Sequence, residues 1–216
     1  GDDVSSNADV VIEGSADVIS IGGEIEPGST LVVGGDLGSF SATQSTGDIT
    51  VGGNAGSITI DGAGDDSDLG GTLSVGGNLT LLNVADDVEG SISVGGDAGT
   101  LTAGDDFSGS GPVSVLGDLG SISAGGVISQ DVSVGNDLGS FSAEHATGDL
   151  TVGEDAGTIR ITGSGGDADF RGDLAVGGDL TELTVADDVE GSISVGGNAG
   201  TLTAGNDFTG AGPVTI

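Results

Sequence analysis

Cysteine, methionine, tryptophan and tyrosine are absent from the 216 residues, proline occurs 3 times, and Arg160 and Arg171 are the only basic side chains against 35 Asp and Glu. Each gap removes a class of protein. Without cysteine there is no disulfide framework, thiolate metal site or cysteine nucleophile. With two arginines and a formal charge of -33, the chain cannot neutralise phosphates, and its field repels nucleic acid and anionic lipid alike. Five phenylalanines are too few for a core built around aromatic residues. No apolar run approaches the ~18 residues of a membrane span. The chain opens on Gly-Asp-Asp in place of a basic and apolar signal segment, as expected of a soluble mature protein or a piece excised from one.

Glycine, by contrast, fills 47 positions, and 35% of the residues are apolar. High acidity with few aromatics borders on a disordered composition, so order depends on how the apolar residues are arranged. They are arranged in repeats. The tetrapeptide Val-Gly-Gly-Asp/Asn, or a close variant, begins at Val33, Val51, Val75, Val94, Val115, Val134, Val152, Val176 and Val195. The intervals are 18, 24, 19, 21, 19, 18, 24 and 19 residues; the first five sum to 101 and the series then restarts. Residues 28–115 laid over 129–216 without a gap are identical at 57 of 88 positions. We therefore expect one continuous domain, 1–216, comprising a degenerate partial repeat 1–27, a first unit 28–128 and a truncated second unit 129–216.

Fixed short periods signify a solenoid, in which each coil buries its apolar face only against its neighbours. Between residues 48 and 60, Ile49 and Val51 alternate with Asp48 and Thr50, then Ile58 and Ile60 alternate with Ser57 and Thr59. This is period two twice over, split by a glycine turn. The inward positions recur as Leu73, Val75, Leu79, Leu82 and Val84, and again as Ile92, Val94, Ala98, Leu101 and Ala103. No stretch keeps a helical apolar stripe, and glycine is too frequent for helix. The expected fold is all-β: a right-handed parallel β-solenoid of 10–11 coils of 18–24 residues, five coils to each 101-residue unit, about 50 Å long at ~4.8 Å per coil. The Gly-Gly pair is expected at a turn requiring positive φ. The Asx after it (Asp36, Asn54, Asn78, Asp97, Asp118, Asp137, Asp155, Asp179, Asn198) is expected to bond its own turn and to stack as a ladder.

Acidic loops follow the second strand of three consecutive coils in each unit. The first unit places Asp65, Asp66 and Asp68, then Asp86, Asp87 and Glu89, then Asp105 and Asp106 there. The second places Asp167 and Asp169, then Asp187, Asp188 and Glu190, then Asp207. One strand spacing apart, each unscreened carboxylate pair repels by ~0.9 kcal/mol even at the dielectric of water. Such a stack recruits a cation. Calcium accepts 6 to 8 oxygens in loose geometry and suits Asp-rich glycine loops, so these fourteen residues are the candidate metal ligands and Ca2+ the expected cofactor. Solvation of a glycine-rich rod accounts for the same charges without a metal.

The stretch Gly-Gly-Asp-Leu-Gly-Ser-Phe-Ser-Ala at 34–42 resembles the glycine-rich nonapeptides of RTX calcium solenoids, and the long tandem units resemble those of large bacterial extracellular adhesins and surface filaments. The RTX pattern has Asp at its sixth position, where this chain has Ser39, Ser57, Thr100, Ser121 or Ser140, so that calcium-binding turn is not carried over. The resemblance implies an extracellular, cell-surface location and a structural role.

Nothing in the residues specifies catalysis. His145 is the only histidine, and its counterpart in the first unit is Gln44. The chain is read as no enzyme but as a section of a calcium-stabilised filament, stalk or surface-layer fibre that associates end to end or continues into a longer repeat array. It is expected to bind no nucleic acid and to insert into no membrane. Two other readings stand beside it. The outward Ser/Thr rows of the second strand (Ser39/Ser41, Ser57/Thr59, Thr100/Thr102, Ser121/Ser123) suit an adhesin or an ice-binding face, and some polysaccharide-acting enzymes are β-helices.

Overall fold

The computed structural model describes residues 3–62, 68–163, 168–210 and 213–216. The chain winds as a parallel β-solenoid of about ten turns. The first strand of every coil joins an 11-stranded sheet running from Asp9–Ile12 to Val214–Thr215, and the second joins a 10-stranded sheet from Ala16–Ser20 to Ala199–Ala204. Every pairing is parallel, and equivalent residues stack: Ile92 lies between Leu73 and Val113, and Leu101 between Leu82 and Ile122. The inward aliphatic positions expected from the period-two pattern are the core, from Ile49, Val51, Ile58 and Ile60 through Ile193 and Val195.

The coil has a third face that the period-two pattern does not disclose. After the second strand the chain turns and places a single residue inward before turning again. Val4, Ile25, Ser45, Leu69, Val88, Phe107, Ile128, Ala146, Phe170, Val189 and Phe208 form one continuous ladder, through two short strand pairs and a series of single bridges. The cross-section is therefore three-sided, and the two sheets are closed by a row one residue wide. Interior volume is shared between faces. The coils with Phe40 and Phe141 on the second face carry Ser45 and Ala146 on the third, whereas the coil with Phe107 on the third face has Ala98 and Ala103 on the second. Keeping each layer equally full lets successive coils stack without voids.

The glycines of the Gly-Gly corner are needed for a different reason from the one expected. Among the described residues, positive φ occurs only at Asn7 and Gly28, so these corners contain no left-handed residue. Close stacking is the cause. A Cβ on Gly52 would lie 2.5 Å from the carbonyl oxygen of Gly34 one coil back, and a Cβ on Gly53 would lie 2.3 Å from Asp36 Oδ1.

Candidate functional acidic corner

Each coil has three corners, and at most of them a polar side chain sits just before the inward residue. At the Gly-Gly corner the side-chain oxygen of one coil accepts the backbone N–H of the equivalent residue in the next. The series runs without a break from Ser15 through Asp36, Asn54, Asn78, Asp97, Asp118, Asp137, Asp155 and Asp179 to Asn198, at 2.7 to 3.3 Å. The Asx ladder is thus real but not self-contained, because its bonds run between coils and not within the turn. A second series precedes the first strand, where Asp131, Asp149 and Asp173 receive Asp149, Asp173 and Ser192.

The third series occupies the acidic loops. Asp68 accepts Asp87 N–H, Asp87 accepts Asp106 N–H and Asp106 accepts Val127 N–H; Asp169 accepts Asp188 N–H and Asp188 accepts Asp207 N–H. Five of the fourteen candidate ligands therefore each commit one carboxylate oxygen to the backbone, and Asp207 occupies the next rung. The other side chains, Asp86, Glu89, Asp105, Asp187 and Glu190, lie beside this ladder. Asp65, Asp66 and Asp167 fall outside the described residues.

Two groups of these side chains converge. In the first unit, one carboxylate oxygen each from Asp86, Asp87 and Asp105 lie within 4.8 Å of one another. Asp105 holds its proton more tightly than an ordinary carboxyl because of the adjacent Asp106 charge, then partial burial, then Asp87, Asp86 and Glu144. Five negative groups meet there, and both arginines are paired elsewhere. A hard cation with oxygen ligands would relieve that repulsion, and Asp86, Asp87 and Asp105 are the residues that could hold it.

The second unit solves the same problem internally. Asp169, Asp188 and Glu190 also converge, but Arg171 reaches into the group. Its Nη2 lies 2.8 Å from Asp169 Oδ2 and its Nε 3.1 Å from Glu190 Oε2, so one guanidinium bridges two carboxylates. Asp169 is a buried carboxylate, and this is its counter-charge. The counterpart of Arg171 in the first unit is Gly70, and the counterpart of Asp105 in the second is Asn206. The units thus differ in how they balance the same corner.

His145 is a rung and not a loop residue. Its Nδ1 accepts Asp169 N–H at 3.2 Å, resuming the ladder one coil after Val127 interrupts it, and Arg171 Nη1 stands 3.3 Å from its Nε2. The outward hydroxyl rows are in register, with Thr100 beside Ser121 and Ser121 beside Ser140, and Ser121 Oγ donates to Thr100 Oγ1 at 3.2 Å. Leu81, Arg160 and Glu182 interrupt them. Two participants were not foreseen: the third-face residues, signalled by the Asp-apolar pairs Asp68-Leu69, Asp87-Val88 and Asp106-Phe107, and Arg171, signalled only by its position two residues after Asp169.

No protein-family model, curated protein or solved structure matches this chain.

Proposed function

We propose that the chain is a structural rod, a section of an extracellular filament, stalk or surface-layer fibre, stiffened by calcium at the Asp86/Asp87/Asp105 corner. The observation that carries this reading is that the same coil-to-coil bonds recur along the rod, so each coil serves mainly to hold the next. Calcium is supported by convergent carboxylates on the one unit whose corner has no built-in guanidinium. The reading includes no catalytic step.

Continuation of the stack belongs to the same proposal. Neighbouring coils pair in parallel throughout both sheets, and a further coil, from the same chain or a second copy, would add by the same pairing. Electron microscopy and thermal melting with calcium and with chelator test both parts. Calcium is expected to raise the melting temperature and straighten the particles; identical melting and identical particles under both conditions would sink the calcium reading, and strictly short monomers at all concentrations of the 216-residue chain would sink self-assembly.

A further inference from the structure

Asn78, Leu79 and Thr80 form an Asn-x-Thr triplet, and no other asparagine of the chain has Ser or Thr two residues on. Attachment of an N-linked sugar needs that pattern, a side-chain amide nitrogen with a hydroxyl two residues downstream, on the surface of an exported protein. The triplet carries weight only where the fold leaves the amide nitrogen available.

Asn78 is a rung of the Gly-Gly corner ladder, and the ladder fixes its amide. Its Oδ1 accepts the Asp97 N–H at 2.9 Å, and its own backbone N–H donates to Asn54 Oδ1 at 2.9 Å. A flipped amide would set its NH2 against the Asp97 N–H, so the nitrogen is the atom left over. At Asn54 and Asn198 that nitrogen is used: Nδ2 donates to the aspartate one coil back, Asp36 at 3.2 Å and Asp179 at 3.0 Å. Asn78 follows an asparagine rung instead, and its Nδ2 has no hydrogen-bond partner among the described residues.

Space is present as well. Leu79 is buried at the start of the strand Leu79–Val84, so Asn78 and Thr80 on either side of it face outward together, and both are exposed. Both line an open trough of about 560 Å3 with Asp36, Gly38, Asn54 and Gly56. The coils on either side of Thr80 carry Gly56 and Gly99 at the equivalent position, so no side chain flanks its hydroxyl in that row.

We propose that Asn78 is the acceptor of an N-linked glycan. The donor is a sugar carried on a lipid phosphate. Asn78 Nδ2 attacks the anomeric carbon; the C–N bond forms as the bond from that carbon to the phosphate oxygen breaks, the lipid phosphate leaves with the electron pair, and the amide gives up one proton. The product keeps Oδ1 as an acceptor, so the rung to Asp97 survives the modification. The counterpart triplet of the second unit is not an acceptor, because Asp179 precedes Leu180 and Thr181 there. The proposal rests on the extracellular reading, since the transfer acts on exported chains.

The test directs the 216-residue chain into the secretory pathway of a glycosylating eukaryotic cell and recovers it from the medium. Intact mass is expected to show one glycan, released by an amidase that leaves a carboxylate at position 78. Asn78→Asp keeps an acceptor for the Asp97 N–H, as Asp97 and Asp118 do for the coils that follow them, and Thr80→Ala keeps the amide. Each variant is expected to be secreted with unchanged melting and to lose the glycan. Secreted parent chain without a glycan, or a glycan that persists in either variant, overturns the proposal. The rod reading is tested separately by the particles and melts with calcium, so the two can fail independently.

Discussion

Asp97 Oδ1 accepts the backbone N–H of Asp118, one coil further along, at 3.1 Å. Two acidic side chains thus stack without a cation because each negative oxygen faces a peptide dipole, and the bond is charge-assisted. The same relationship at three corners explains how a chain of charge -33 tolerates carboxylates on successive coils.

Asp97→Ala is expected to lower stability by about 1 kcal/mol, the usual cost of leaving a capped N–H without its side-chain acceptor. Asp97→Asn keeps the acceptor and is expected to fall within about 0.5 kcal/mol of the parent. Denaturant melts of both variants check this; equal losses would mean that the charge, and not the acceptor, matters.

Gly53→Ala places a methyl 2.3 Å from Asp36 Oδ1, with backbone atoms of Gly35 and Asp36 close behind, and is expected to cost about 1–3 kcal/mol through displaced stacking. Gly14→Ala, where a Cβ meets nothing within 4 Å, is the control and should be close to neutral. A similar loss at both sites would overturn the coil-spacing account, since the entropy effect of Gly→Ala by itself favours the folded state.

Arg171→Gln removes the counter-charge of the buried Asp169 carboxylate. Because the guanidinium itself is half-exposed, the expected loss is about 2 kcal/mol, below that for breaking a fully buried pair. Added calcium should recover part of the loss in this variant through Asp169, Asp188 and Glu190, and calorimetry with and without calcium reads the difference.

Protonation acts in opposite directions on two sets of carboxyls. Asp173 and Asp179 are held below the ordinary value of 3.8 by the backbone N–H and then the side chain of Ser192 and Asn198. Their stabilisation is present above that ordinary value and is lost as the pH falls through the lowered one. Asp105 is raised, so its ionised form opposes folding, and the strain lifts as the pH falls through its raised value. Asp105→Asn is therefore expected to raise the melting temperature near neutral pH in calcium-free, low-salt buffer. The gain should vanish below about pH 3, where the parent carboxyl is already neutral, and shrink in high salt.

Phe107→Ala is expected to cost about 3–5 kcal/mol, because the ring is fully enclosed between Val88 and Ile128 in the third-face ladder. Phe208→Ala, at a half-exposed equivalent position, should cost well under half as much in the 216-residue chain. Urea melts of the two variants compare them directly.

Much of this molecule can be read without coordinates because its order is local and repeated. Alternating apolar residues set which side chains point inward, and a period of 18 to 24 residues set which coil stacks on which, so the sheets and the Leu, Ile and Val ladders followed. The Asx rungs were also visible as positions. The partners of those rungs were not, because an Asp reads the same whether it bonds its own turn, the next coil or a metal. A face only one residue wide leaves no periodicity to detect, so Leu69, Val88 and Phe107 were hidden inside segments that look like solvated loops. The glycine corners carry no positive φ; their cause is the carbonyl of a residue about nineteen positions away, brought close only by stacking. Arg171 bridging Asp169 and Glu190, and Gln130 reaching Val88 and Gly90, likewise depend on distances that winding creates and that sequence separation does not encode.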